Sequence, residues 1–372
     1  MKTESITSTS VARRRSSILF PGFLAPAGDG QLAGWPFLAK FVIRASLVAA
    51  FVAAAIACSS APAQVGTDDA KPEVKAPPLA EFKFVSSLDQ TEQVTRVWAP
   101  ERSASLPTPM LVFLHSWSGD YTQDNTPWLL QAEKRGWIFL HPNFRGINKQ
   151  PQACGSKFAR QDVLDAIDAA KKKYRIDASR IYLAGTSGGG HMSMLMGAYH
   201  PERFSAVSAW VGISDLADWY RFHVKDGKPD NYAQMTVACL GGPPGHSTEV
   251  DAQYRERSPL YHLHRVGDLP IELSAGVTDG HNGSVPIRHS LLAFNVIAKA
   301  GGHPLVTDAE LASLAKQEIP SGGKATEDAT YGRDILFRRA AGPARVTIFQ
   351  GGHEGLPSAA CDWLSRHTRT TR

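Results

Sequence analysis

The chain has 372 residues, 43% of them hydrophobic and 20% charged, with a formal net charge of +5. That balance suits a globular enzyme with a substantial core, and α/β folds of this length are often single domains. The first 57 residues hold six Lys and Arg against two Asp and Glu, leaving 34 basic and 33 acidic side chains in the remainder. A nearly neutral remainder has no basic patch of the kind that binds nucleic acid, which excludes that partner.

Residues 1–63 read as an export signal region. A charged stretch with Arg13, Arg14, Arg15, Lys40 and Arg44 precedes an apolar run from Ala45 to Ala57, too short for a comfortable membrane span. Two cleavage readings compete. Ala61-Pro62-Ala63 gives a mature start at Gln64, whereas Ala55-Ile56-Ala57-Cys58 is similar to a lipobox with Cys58 as the lipidated residue. A lipid on Cys58 is the one membrane attachment expected. The chain is read as exported, periplasmic or secreted, and residues 64–80, rich in Ala, Pro, Asp and Lys, as a linker. Export permits disulfides. Of Cys154, Cys239 and Cys361, the first two are the preferred pair because both sit in loop-like, Gly-containing stretches, with three free thiols as the alternative. Their spacing offers no metal site.

From residue 81 onward the chain reads as one catalytic domain. Residues 81–98 alternate apolar and polar, as an antiparallel hairpin at a sheet edge does. Met110–Leu114 is a continuous apolar strand buried on both faces. A helix from Thr126 to Arg135, a strand at 137–140 and a long loop over 141–158 follow. Asp162, Val163, Ala166, Ile167 and Ala170 fall at helical spacing, predicting a helix from about Ala159 to Tyr174. Strands are expected at 181–185, 204–212, 270–276 and 345–349, with helices running to Tyr199, over 285–300 and after Pro357. Two insertions are expected, an aromatic-rich one over about 213–265 and a polar, partly helical one over about 302–342. Alternating strands and helices predict an α/β fold with a mainly parallel, doubly wound sheet and helices on both faces.

Ligands of such sheets bind at the carboxyl ends of the strands, so each catalytic group should stand just past one. Gly185-Thr186-Ser187-Gly188-Gly189 fits the G-x-S-x-G nucleophile elbow, with a strand before it and an Ala/Met/Leu-rich helix after it. A serine hydroxyl becomes a nucleophile when a neutral imidazole takes its proton and a carboxylate fixes that imidazole's tautomer. Asp279 follows the strand ending near Gly276, and His353 follows the last strand, in the order Ser, Asp, His of this fold. Asp215 is the rival acid. The oxyanion hole should join the N–H of Gly188 to an N–H of the loop after Leu114, from Ser116 or Trp117. His115 is expected to shape the oxyanion and substrate loops, and His191 to lie in the core or the pocket wall. Trp219, with Tyr220 and Tyr232, reads as a lid or a platform for sugar rings, or else as insertion core.

Further segments carry a likeness: Ser86-Ser87-Leu88-Asp89 with Arg96-Val97-Trp98-Ala99-Pro100, His141-Pro142-Asn143-Phe144-Arg145-Gly146, Asp177-Ala178-Ser179-Arg180-Ile181-Tyr182, and Pro201-Glu202-Arg203-Phe204. From about Phe82 to the C-terminus the chain resembles α/β-hydrolases of the prolyl-oligopeptidase-like and esterase branch. The resemblance implies Ser187, Asp279 and His353 as nucleophile, acid and base. Fewer than 40 residues separate the linker from the first central strand, which is no room for the peptidases' propeller. Gly188 and His191 also stand where the peptidases commonly place aromatic residues. Both departures favour a carboxylic ester hydrolase acting on acylated polysaccharide or short-chain esters. A serine peptidase is the alternative, and a catalytically inert hydrolase-fold binding module a second. Neither a metal nor an organic cofactor is implied.

Overall fold

The structure is a computed structural model that describes residues 75–370. The region read as an export signal, its candidate cleavage sites, Cys58 and most of the expected linker lie outside the described residues.

The sheet begins with a hairpin of β1 (Ala80–Val85) and β2 (Glu92–Trp98), paired antiparallel from Ala80↔Val97 to Val85↔Glu92. β3 (Thr108–Leu114) is buried at every residue, as its unbroken apolar run requires of a central parallel strand. α1 (Thr126–Arg135) stops where Gly136 adopts φ 63°, a left-handed conformation that ends helices readily. β4 (Ile138–Pro142) leads through a long loop to α2 (Lys157–Lys173). The Ser156 hydroxyl caps α2 by accepting from the Ala159 N–H at 3.2 Å, and three lysines face its negative dipole end.

β5 (Ile176–Thr186), α3 (Gly188–Tyr199) and β6 (Ala206–Trp210) follow. α3 is buried from Gly188 through Ala198. It is apolar on nearly all sides, as befits a helix enclosed by the fold rather than laid on its surface. The first insertion contains α4 (Leu216–Phe222), the short pair β7 (Val224–Lys225) and β8 (Lys228–Pro229), α5 (Asn231–Leu240) and α6 (Thr248–Arg257). Its side chains, Trp219, Met235 and Tyr254 among them, form a second apolar cluster with Trp117 and Val285. β9 (Ile271–Gly276), α7 (Arg288–Ala300) and α8 (Asp308–Ala315) come next, then β10 (Thr326–Asp328), β11 (Arg333–Ala341), β12 (Ala344–Phe349) and α9 (Pro357–Leu364).

The strand order is β1-β2-β4-β3-β5-β6-β9-β12-β11-β10. The six strands from β4 to β12 pair parallel, and the two strands at each edge pair antiparallel. This is the doubly wound α/β architecture expected, with one correction. Residues 302–342 hold two strands of the main sheet besides a helix. β11 carries a register shift between Ile335 and Phe337, and an extra residue in a strand reverses which face the following side chains occupy. The period-2 pattern that would reveal the strand is lost there.

Two buried ionic groups fasten this frame. Arg145, on the loop before α2, reaches Asp162 at 2.5 Å and Asp89 at 2.7 Å, while the Ser86 hydroxyl donates to Asp162 at 2.6 Å. Two of the segments singled out by sequence, Ser86–Asp89 and His141–Gly146, thus converge on Asp162 of α2. On the other half of the sheet, Glu272 of β9 is fully buried and accepts from Ser208, Tyr331 and Arg345. A buried carboxylate is tolerable when hydrogen-bonded in this way.

The preferred Cys154–Cys239 disulfide is not formed. All three described cysteines are free and buried. Cys239 lies on α5 rather than in a loop.

Candidate active site

At the carboxyl end of β5 the chain reverses into α3 through Ser187, whose φ of 60° and ψ of −117° are strained for a side-chain-bearing residue. The turn is fixed on both sides: the Ser187 N–H donates to the Trp210 carbonyl at 2.9 Å, and its carbonyl accepts from His191 N–H at 2.9 Å. A Cβ on Gly185 would strike the backbone of Gly189, so this crossing of strand and helix closes only with glycine.

Gly188 is the first residue of α3, so its N–H has no acceptor within the helix. A Cβ there would run into the nitrogen and Cα of Trp117, which puts the β3–α1 loop directly against the helix start. In that loop the Ser116 N–H is engaged by Gln123 Oε1 at 2.9 Å, and the Ser116 hydroxyl donates to the same oxygen at 2.9 Å. The Trp117 N–H has no acceptor among the described residues. Of the two donors considered from sequence, Trp117 is therefore the one left open beside Gly188.

Asp279 follows β9 and is 2% exposed; His353 follows β12 and is half-buried. His353 Nδ1 lies 2.8 Å from Asp279 Oδ2, while Asp279 Oδ1 accepts the N–H groups of Gly280 at 3.0 Å and Val285 at 3.1 Å. An ionised carboxylate in this position makes Nδ1 the protonated ring nitrogen and leaves Nε2 as an acceptor. Nε2 stands 3.3 Å from the hydroxyl of Ser284, and among the described residues no hydrogen bond joins it to Ser187. Catalytic hydrogen bonds of unliganded enzymes commonly shorten only once substrate is bound. Ser284 was not legible in sequence, because nothing marks a loop serine five residues past an aspartate. Asp215, the rival acid, caps α4 by accepting from the N–H groups of Ala217 and Asp218.

The three residues considered for the substrate pocket are packed, His191 and Trp219 in agreement with the core alternatives read from sequence. His115 is buried, stacked on Phe144 with ring centroids 3.8 Å apart, and its Nε2 donates to the Asn143 carbonyl at 2.7 Å. It ties the β3–α1 loop to the loop after β4. His191 is buried beneath Trp117 and donates to the Arg257 carbonyl at 2.7 Å. Trp219 is 1% exposed, edge-on to Trp117, and its Nε1–H donates to the Ser284 carbonyl at 2.8 Å. It belongs to the core of the insertion. An aromatic platform for sugar rings needs an open ring face, which Trp219 does not have.

The buried histidines give the fold an acid sensitivity. Burial lowers His141 to about 4, His191 to about 4 and His289 to about 3. Below about pH 6.5 the unfolded chain binds protons at these sites that the folded chain refuses. Stability is thus fully present above that pH and declines as pH falls towards 4, by up to roughly 1.4 kcal/mol per pH unit for each histidine. The urea midpoint should drop clearly between pH 7 and pH 4.5; an unchanged midpoint would mean these rings are not held neutral.

Residues 125–307, about half of the chain, match the pattern of the Prolyl oligopeptidase family. The chain is 25% identical over 187 residues to acetylxylan esterase A of Emericella nidulans, covering 45% of this chain and 59% of that protein. It is 30% identical over 128 residues to feruloyl esterase B of Neurospora crassa, covering 32% of this chain and 43% of that protein. It therefore spans less than two thirds of either relative. Among solved structures, the acylaminoacyl peptidase of Pyrococcus horikoshii superposes with a TM-score of 0.53 at 18% identity, over 78% of this chain and 41% of its own. That likeness is one of fold. With a parallel sheet of this order and a serine elbow at the end of its middle strand, the chain belongs to the α/β-hydrolase superfamily, in its prolyl-oligopeptidase-like branch.

Proposed function

We propose that the protein is an exported serine hydrolase that cleaves carboxylic esters through an acyl-enzyme. The observation that carries the reading is the strained Ser187 at the tip of β5, flanked by the open N–H groups of Gly188 and Trp117. Ser187 Oγ attacks the ester carbonyl while His353 Nε2 takes its proton, and Asp279 steadies the imidazolium. The two N–H groups bind the oxyanion where charge develops. The imidazolium then protonates the leaving alcohol, the acyl group stays on Ser187, and water deprotonated by the same nitrogen releases the acid. Every proton in this cycle passes through one nitrogen.

The relatives named for acetylxylan and feruloyl esters favour an acylated polysaccharide or a short-chain ester as substrate. The charged and apolar N-terminal run favours export, and Cys58 a lipid anchor if it is the mature first residue. A peptidase working through the same three residues is the second reading, favoured by the match to the Prolyl oligopeptidase family. Chromogenic acyl esters and aminoacyl-anilides tested side by side decide between them. Ester turnover should exceed anilide turnover by orders of magnitude, and the opposite order would make it a peptidase.

A further inference from the structure

Neutral His353 has one lone pair, at Nε2, and two hydroxyls have a claim on it. Ser187 needs it as a base. Ser284 holds it in this structure, with Oγ at 3.3 Å. At that separation the bond is long for a hydroxyl donor, so it competes without dominating.

What makes the contact more than a chance rotamer is how Ser284 is held. Its carbonyl accepts two ring donors from the insertion, Trp219 Nε1 at 2.8 Å and His223 Nε2 at 2.9 Å. His223 is itself fixed by Asp230, 2.6 Å from Nδ1, at the start of α5. The next residue, Val285, donates its N–H to Asp279. The segment from Asp279 to Val285 is thereby closed on the acid at one end and strapped to α4 at the other, with the Ser284 hydroxyl aimed at the base.

We propose that Ser284 is a positioning residue that sets how far His353 Nε2 is available to Ser187, and that α4 controls it through Trp219 and His223. This rests on the reading of Ser187 and His353 as nucleophile and base. A hydroxyl donating to the neutral ring favours the neutral form and occupies the lone pair at the same time. Removing the hydroxyl therefore has two linked effects: the ring protonates more readily, and the base is freer towards Ser187. The charged groups linked to this arrangement are Asp279 on the ring's Nδ1, Glu354, the next residue in the chain and paired with Arg333, and Asp230, paired with the His223 that meets the Ser284 carbonyl. Substitution at Ser284 leaves all of them in place.

The test is the pH profile of kcat/KM on a chromogenic acyl ester for wild type, Ser284→Ala, Ser284→Thr, Trp219→Phe and the Ser284→Ala/Trp219→Phe double variant. Ser284→Ala should move the acidic limb up by about half a pH unit and raise the alkaline plateau roughly two- to fivefold, the scale of one modest hydrogen bond. Ser284→Thr, which keeps the hydroxyl, should restore both. Trp219→Phe, which keeps an aromatic side chain and loses the N–H donor, should shift the limb the same way in wild type and not in the Ser284→Ala background. An unmoved limb in Ser284→Ala, or a Trp219→Phe shift of equal size in both backgrounds, overturns the proposal. Ser187→Ala run in parallel separates the two levels. Activity surviving in it would sink the nucleophile assignment, whereas its loss together with an unmoved Ser284→Ala limb would sink this proposal alone.

Discussion

Replacing Ser187 with alanine is expected to lower kcat/KM on an activated ester by about 10⁶-fold while leaving the fold and its melting temperature close to wild type. The side chain is small and stands at the end of β5 with its backbone fixed by Trp210 and His191, so little packing is lost. The strain at φ 60° is unchanged, since alanine carries the same Cβ. A residue of about 10³–10⁴ over the uncatalysed rate should persist, because the Gly188 and Trp117 N–H groups still meet the developing oxyanion. Loss of activity with loss of fold would be a different result, and circular dichroism distinguishes them.

Asp279→Asn should cost about 10⁴-fold in kcat/KM with the structure retained. The amide oxygen can still accept from Val285 and Gly280, but the negative charge opposite His353 Nδ1 is gone. Without it the imidazole tautomer is no longer fixed and the imidazolium formed during attack is not stabilised. Asp215→Ala is the contrasting variant. It removes the cap of α4 and should cost about 1 kcal/mol of stability with no comparable loss of rate. If the two variants exchanged these effects, the acid would be Asp215.

The elements around the site were legible because each has a pattern that only one environment satisfies. A wholly apolar Met110–Leu114 fits a central parallel strand, and Thr126-Pro127 to Arg135 followed by glycine fits one helix, whose bounds the structure reproduces. That Asp279 and His353 meet was legible for a topological reason, since both follow strands whose carboxyl ends lie at one rim. The failures are of another kind. Aromatic residues in an insertion look alike whether they build its core or face a ligand, so Trp219 could not be placed until its neighbours were known. β11 was hidden by its register shift, and its Arg338 and Arg339 face ionic partners, Asp328 and Glu310, that read as surface charge. Ser284 belongs to the site through contacts 69 residues apart in sequence, a distance no local spacing reveals.

Treatment of the mature protein with a fluorophosphonate ester, followed by intact-mass measurement and peptide mapping, reaches the proposed chemistry without any knowledge of the natural substrate. One phosphonyl adduct per chain, on Ser187, with labelling slowed strongly in Asp279→Asn, is the expected outcome. A folded protein that stays unlabelled, or carries its adduct on another residue, would contradict the assignment of Ser187, Asp279 and His353 as a working triad.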